Sequence, residues 1–256
     1  MLVRAGRPPL RSHVGSVELR GFLRHRSFLA DVTSDKHEPF LRQVLLAELR
    51  PETLFIDVGA HVGLYTLLAA SRVAHVIAFE ADPYTAAALT ANVARSGARN
   101  VRVVAKAVSD QVGKTAFWQS SGTYSSSLIR RPPEVTERRL EVEATTIDAE
   151  VPDAMSDIVV KIDAEGAELQ VLAGSTRLLS SAERAVLVVE SNPPALAGAG
   201  KAPEDLVAAL RALGLQLMLV DDVSRSVEPL GNRAIGGLKG NLLCRSEAGG
   251  ACRRTL

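Results

Sequence analysis

Short apolar runs rich in Val and Ile recur at 54–58, 75–80, 101–108, 158–163 and 185–190, and between them the hydrophobic spacing turns helical. The helical stretches fall at 62–72, 83–96, 166–180 and 203–213, with Pro83 suited to a first helical turn. Such alternation restricts the chain to a mostly parallel sheet with helices on both faces, joined by right-handed crossovers. "LQLMLV" (215–220) and "GNLLCRS" (240–246) are expected to complete a seven-stranded α/β sheet. "KTAFW" (114–118) and "VEATTI" (142–147) are expected to add a hairpin to it.

This domain is expected to occupy residues 51–246. Ahead of it, "HEPFLRQVLLAELR" (37–50) sets Phe40, Leu41, Val44, Leu45 and Leu49 on one helical stripe that Pro51 stops. Residues 1–26, in a basic and partly β-rich 1–50 lead, carry Arg4, Arg7, Arg11, Arg20, Arg24 and Arg26 against the single acid Glu18, and read as a solvated, partly disordered arm or as an arm for an anionic surface or substrate. Residues 247–256 read as a frayed tail. The long segment between the hairpin strands, "QSSGTYSSSLIRRPPEVTERRLE", reads as a lid over a bound acceptor or as a disordered surface loop. Tyr124, Ser125, Ser126, Ser127, Arg130 and Arg131 lie in it.

Composition narrows the class. An apolar share of 46% and a charged share of 23% are those of a soluble globular protein. No stretch stays apolar for the roughly 18 residues of a membrane span, so no membrane is expected. A net charge of +1 gives no reason to expect a nucleic-acid partner. The first residues lack the apolar core of a secretory signal, and Cys244 and Cys252 are too few for a disulfide framework. A cytoplasmic protein is the expectation.

In an open parallel sheet, ligands sit beyond the carboxyl ends of the strands. Four of the expected strands end there in acids, namely Asp57, Glu80, Asp163 and Glu190. Core packing alone would not select them, because buried acids need partners. Gly59 and Gly63 let the backbone pass close to a ligand, and Glu80 is placed to accept hydrogen bonds from two ribose hydroxyls. A dinucleotide site would want glycines at 59, 61 and 64, where this chain has Gly59, His61 and Leu64. Asp57 would also repel a pyrophosphate and suits an ammonium or sulfonium instead. S-adenosylmethionine carries both.

The segments "LFIDVGAHVGLYTLLAA", "VIAFEADPYTAAALTANV", "AVSDQVGKTAFW", "SSSL", "DIVVKIDAEGAELQVLAGS" and "AVLVVES" occur in that order over roughly residues 52–192. Together they resemble the FkbM family of S-adenosylmethionine-dependent methyltransferases, most strongly through "KIDAEGAE" (161–168). The chain departs from the family at His61, where Asn is usual, and at Ala81-Asp82, where Pro-Asn or a similar pair is usual. The resemblance implies a Rossmann-like class I methyltransferase fold and O-methylation of a hydroxyl on a sugar-bearing or polyketide-type small molecule. It further implies that Asp57, Gly59, Ala60, His61 and Gly63 contact the methionine end of the cofactor and that Glu80 and Ala81 contact the ribose. Ser109 and Asp110 would then lie near the adenine, and the segment holding Asp163 would sit where acceptor and sulfonium meet.

An aliphatic hydroxyl must lose its proton as it is methylated, to a side chain or through a metal that lowers its pKa. Asp163 is the best-placed candidate base, with Glu165 and His61 as alternatives, while Glu168 fits equally well as a helix-start acid. His37, ahead of a helix, reads as a capping or surface residue, with a base acting from behind the site as the alternative. Tyr124, Ser126, Lys161, Glu165 and Glu190 are candidate acceptor contacts, although Lys161 also suits a plain ionic partner of Asp163. Asp163, Glu190 and Asn192 offer the oxygen ligands that Mg²⁺ takes, which leaves a metal-assisted variant open. The rival readings are an N-methyltransferase, a non-catalytic S-adenosylmethionine-binding protein and an NAD-dependent oxidoreductase.

Overall fold

The computed structural model describes residues 10–120, 126–130, 137–151, 155–231 and 235–246. A hairpin, β1 (Leu10–Val14) and β2 (Val17–Gly21), leads through a 3-10 turn at Leu23–His25 into α1 (Arg26–Thr33) and α2 (Pro39–Glu48). Strand and helix then alternate through β3 (Leu54–Val58), α3 (Leu64–Ala70), β4 (His75–Phe79), α4 (Pro83–Ser96) and β5 (Val101–Val104). Next come β6 (Ala107–Val108), β7 (Gly113–Ser120), β8 (Glu137–Thr145), α5 (Ile147–Glu150) and β9 (Asp157–Ile162). The remainder is α6 (Glu168–Ala173), α7 (Thr176–Ser181), β10 (Arg184–Ser191), α8 (Pro193–Gly198), α9 (Pro203–Ala212), β11 (Leu215–Asp221), β12 (Ser226–Pro229) and β13 (Gly240–Ser246).

The large sheet has the order β12-β11-β13-β10-β9-β3-β4-β5. From β10 to β5 neighbouring strands are parallel, and β13 enters antiparallel between β10 and β11. The α/β expectation therefore holds, with one strand more than the seven foreseen. The addition is β12 at the edge, reached by a turn in which the Asp221 carboxylate accepts the N–H groups of Val223 and Ser224. Central strands such as β3 and β9 are buried along their whole length, which is why they read as unbroken apolar runs. Alternate residues serve opposite faces. Leu54, Ile56 and Val58 enter a core with Val171, Leu178 and Leu206, and Phe55 enters the other with Leu29, Leu45, Leu67 and Leu89.

Three local expectations are corrected. Residues 10–21 are not a solvated arm: they form the β1–β2 hairpin, whose Leu19 is fully buried in the second core. The buried Asn92 side chain holds that hairpin by accepting from Arg20 N and donating to Arg20 O. The expected 101–108 strand ends at Val104, and β6 leaves the large sheet to pair with β8 in a three-stranded sheet of order β6-β8-β7, which contains the foreseen hairpin. The expected 166–180 helix breaks between α6 and α7 at Gly174 and Ser175. A Cβ on Gly174 would lie 2.1 Å from the Ser109 carbonyl oxygen, so a close chain crossing governs this point. Among the described residues no helix is long and apolar enough to cross a membrane.

Candidate active site

The strand order reverses at β3: the chain runs outward through β4 and β5 and returns to lay β9 against the other side of β3. A cleft opens beyond the carboxyl ends of β3, β4 and β9, where a doubly wound sheet takes its ligand. Asp57, Gly59, Ala60, His61, Glu80, Ala81, Lys161, Asp163 and Glu165 all line it.

Glu80 follows β4, and both of its carboxylate oxygens are engaged by backbone. Oε2 accepts from His61 N at 2.9 Å and Oε1 from Asp82 N at 2.8 Å. Burial pushes this carboxyl up to about 7 against the pull of those two donors. Each oxygen keeps a lone pair for a ligand hydroxyl. Asp82 in turn caps α4, its Oδ1 accepting from Tyr84 N and Thr85 N, while its Oδ2 meets Arg24 at 3.0 Å and Gln119 at 2.7 Å.

Asp57 sits inside β3, opposite Lys161 in the β3–β9 register. Its Oδ2 accepts from the Thr66 hydroxyl at 2.6 Å, whereas Oδ1 is buried without a hydrogen-bond partner among the described residues. Burial raises the Asp57 pKa, and the Lys161 ammonium opposes that rise. A buried carboxylate oxygen in this position calls for a cationic or hydrogen-bonding group from outside the chain.

Beside it stands a group of coupled charges. Lys161 Nζ lies 2.9 Å from Asp163 Oδ2 and 4.8 Å from the centroid of the Tyr65 ring. Burial works against the ammonium, but Asp163, Glu38 and Asp57 together hold its pKa above the usual value. Burial works against the Asp163 carboxylate in the same way, and Lys161 outweighs it and keeps that pKa low. Burial and the Asp163 and Glu165 charges push the Glu190 pKa up, and its carboxyl shares a hydrogen bond with Asp163. Glu165 lies on the turn after β9 in a left-handed conformation, φ +51°, and accepts from Asn192 Nδ2 at 3.1 Å. His61, at φ +52°, is a second non-glycine cleft residue held in this strained region.

The glycines have requirements set by the chain itself. Gly59 has φ +80°, and a Cβ there would lie 2.0 Å from the Asp163 carbonyl oxygen. Gly63 has φ +100°, and a Cβ would meet Leu89 Cδ1 at 2.7 Å; it caps α3 and does not line the cleft. Glu168, fully buried at the start of α6, accepts the N–H groups of Ala164 and Gly166 and so closes the turn after β9.

Several expected site residues fall elsewhere. Ser109 and Asp110 do not line the cleft: once β6 has turned toward β8, Ser109 N donates to Thr145 O and its hydroxyl to Asp110. Lys106, Ala107 and Val108 line the cleft in their place. Glu190 lies behind Asp163 and outside the lining. Asn192 donates its amide N–H to Glu165, and among the described residues Asp163, Glu165 and Glu190 bring carboxylate oxygens within 4.8 Å of one another. The Lys161 ammonium, 2.9 Å from Asp163 Oδ2, already pairs with one of these carboxylates. Ser126 lines the cleft, whereas Tyr124, Ser125 and Arg131 lie outside the described residues. Arg24, His25, Phe28 and His37 form part of the cleft wall. Sequence reasoning missed His25 and Phe28, because their distance along the chain from residue 57 concealed them, and touched Arg24 and His37 only as part of a basic arm and as a residue ahead of a helix.

With this geometry in place, the comparisons with known proteins are informative. The Methyltransferase FkbM domain matches residues 57–217. The hexuronic acid methyltransferase AglP of Haloferax volcanii is 29% identical over 153 residues, which cover 58% of this chain and 61% of that protein. The methyltransferase FkbM structure from Methylobacillus flagellatus KT aligns with a TM-score of 0.50 at 15% identity, over 77% of this chain and 44% of that one, and so shares the fold.

Proposed function

Because the chain belongs to the FkbM methyltransferase family, we propose that it is an S-adenosylmethionine-dependent O-methyltransferase acting on a hydroxyl of a small sugar-bearing molecule. The observation that carries this reading is the buried, unpartnered Oδ1 of Asp57 beside Glu80, an arrangement suited to a ligand with both a cationic end and a vicinal diol. The relative named as a hexuronic acid methyltransferase favours a sugar over a polyketide acceptor.

Bound S-adenosylmethionine supplies an electrophilic methyl on a sulfonium. In this reading Glu80 accepts from the ribose hydroxyls through the lone pairs its backbone donors leave free, and Asp57 faces the ammonium. Lys106, Ala107 and Val108 wall the base in place of Ser109 and Asp110. Asp163, held as a weakly basic carboxylate by Lys161, supplies negative charge near the sulfonium and is poorly suited to remove a proton. Glu165, on its strained turn and steadied by Asn192, is the residue we assign to accept the hydroxyl proton. Alignment of acceptor oxygen with the methyl group, and exclusion of water, fall to the cleft walls.

Calorimetric titration with S-adenosylhomocysteine, with NAD in parallel and Glu80→Ala as control, tests this. Binding of the first ligand alone, abolished by the substitution, is the expected result. Preference for NAD, or no binding of S-adenosylhomocysteine, would refute it. Once binding is established, methyl incorporation into monosaccharides and their uronic acids, followed by mass spectrometry, identifies the acceptor.

A further inference from the structure

The family match begins at residue 57, yet the cleft wall draws four residues from the segment before it. The contacts of that segment converge on a single carboxylate. Arg24 Nη2 lies 3.0 Å from Asp82 Oδ2, and the backbone N–H of Asp82 is one of the two donors to Glu80. The Phe28 and His25 rings pack edge-on against the His61 ring, with centroids 4.3 and 5.1 Å away, and the backbone N–H of His61 is the other donor. His25 Nε2 also lies 3.3 Å from the Thr85 hydroxyl, in the first turn of α4 that Asp82 caps. Finally, Asn92 of α4 holds both sides of the junction, bonding Arg20 in β2 and donating to the Val62 carbonyl of the glycine loop at 2.8 Å.

His61 is held at φ +52°, a conformation that costs a non-glycine residue about 1 kcal/mol or more unless its surroundings impose it. The rings of Phe28 and His25 supply that constraint from outside the loop. The loop cannot relax toward ordinary backbone angles without disturbing them, and its relaxation would turn the His61 N–H away from Glu80.

We infer that residues 20–28 belong to the cofactor-binding apparatus: Arg24, His25 and Phe28 are positioning residues that fix the two backbone donors orienting the Glu80 carboxylate toward the cofactor's ribose. This rests on the S-adenosylmethionine reading of the cleft. The groups that act on Glu80 are Asp57 on β3, Asp82 and His61 in the adjoining loops, and behind them Arg24 and His25. The two backbone donors favour the ionised carboxylate, and loosening them moves its titration upward from about 7. Affinity for a ribose diol, which needs that carboxylate ionised, falls as the pH drops through this value.

The test is calorimetric titration of the full chain with S-adenosylhomocysteine between pH 6 and 9, using wild type, Arg24→Gln, Arg24→Lys and Phe28→Leu. Arg24 is partly solvent-exposed, so its substitutions are compatible with folding, which circular dichroism checks. The expected result is a dissociation constant raised at least about tenfold in Arg24→Gln and Phe28→Leu at pH 7. The pH at which affinity is half lost should move toward the alkaline side, with substantial recovery in Arg24→Lys. Wild-type affinity and an unmoved pH profile in folded Arg24→Gln and Phe28→Leu would overturn the inference while leaving the cofactor reading intact. Absence of S-adenosylhomocysteine binding in wild type would instead remove the cofactor reading, and the inference with it.

Discussion

Two acids that follow β9 do different work at this site. Glu168 has no solvent exposure and titrates near 7 because burial outweighs the backbone N–H groups it accepts. A carboxyl whose folded pKa lies above its unfolded value contributes stability that is complete at low pH and is lost as the pH rises from about 4.5 through 7. Glu168→Gln, which sets an amide N–H against the backbone donors, should destabilise the protein by about 1–3 kcal/mol. Denaturant unfolding at pH 5 and pH 8 should show the larger penalty at pH 5, and an equal penalty at both would contradict the assigned titration. Glu165 differs in facing the cleft on a strained turn. If it accepts the acceptor's proton, Glu165→Gln should lower turnover by about 10²–10⁴-fold with S-adenosylhomocysteine affinity nearly unchanged. Loss of binding in parallel would assign it to ligand contact instead.

At the scale of elements, the junction of α6 and α7 exposes the limit of periodicity. The apolar spacing over 166–180 suits one helix, yet Gly174 and the Ser109 carbonyl need the same space. Gly174→Ala should therefore cost about 1–3 kcal/mol, although alanine is the better helix former, and thermal unfolding would show whether the sign is right. What was legible in the chain follows the same division. Asp57, Glu80 and Asp163 were readable because each stands at the end of its own apolar run, a purely local signal. The absence of Ser109 from the cleft was not readable, since it depends on β6 leaving the sheet for β8, a partner more than thirty residues away. The place of Asn192 was hidden for a similar reason: its residue type suits a metal ligand, but its amide is taken by Glu165 from another strand end. The N-terminal hairpin was obscured by its arginines, Arg11 on β1 and Arg20 on β2, although Leu19 beside Arg20 anchors it.

For the molecule as a whole, two cores on opposite faces of one sheet leave the cleft at the sheet's carboxyl edge, where loops from both halves of the fold and the N-terminal segment meet. A ligand there ties β3, β4 and β9 to the segment before them, and none of that arrangement exists in the unfolded chain. Ligand binding is therefore coupled to global stability by mass action: a concentration of about 100 times the dissociation constant adds about 2.7 kcal/mol. For a chain of this size each kcal/mol moves the unfolding midpoint by roughly 2–4 °C, so S-adenosylhomocysteine should raise it by about 5–10 °C. Glu80→Ala should show no such shift, and neither should NAD with wild type. The Asp57 carboxylate sharpens the expectation, because its Oδ1, without a partner among the described residues, is best satisfied by a ligand that brings a cationic donor to it. Adenosine, which has the diol but lacks the ammonium, should accordingly bind more weakly and give a smaller shift than S-adenosylhomocysteine at equal concentration, and equal shifts would place the ammonium away from Asp57.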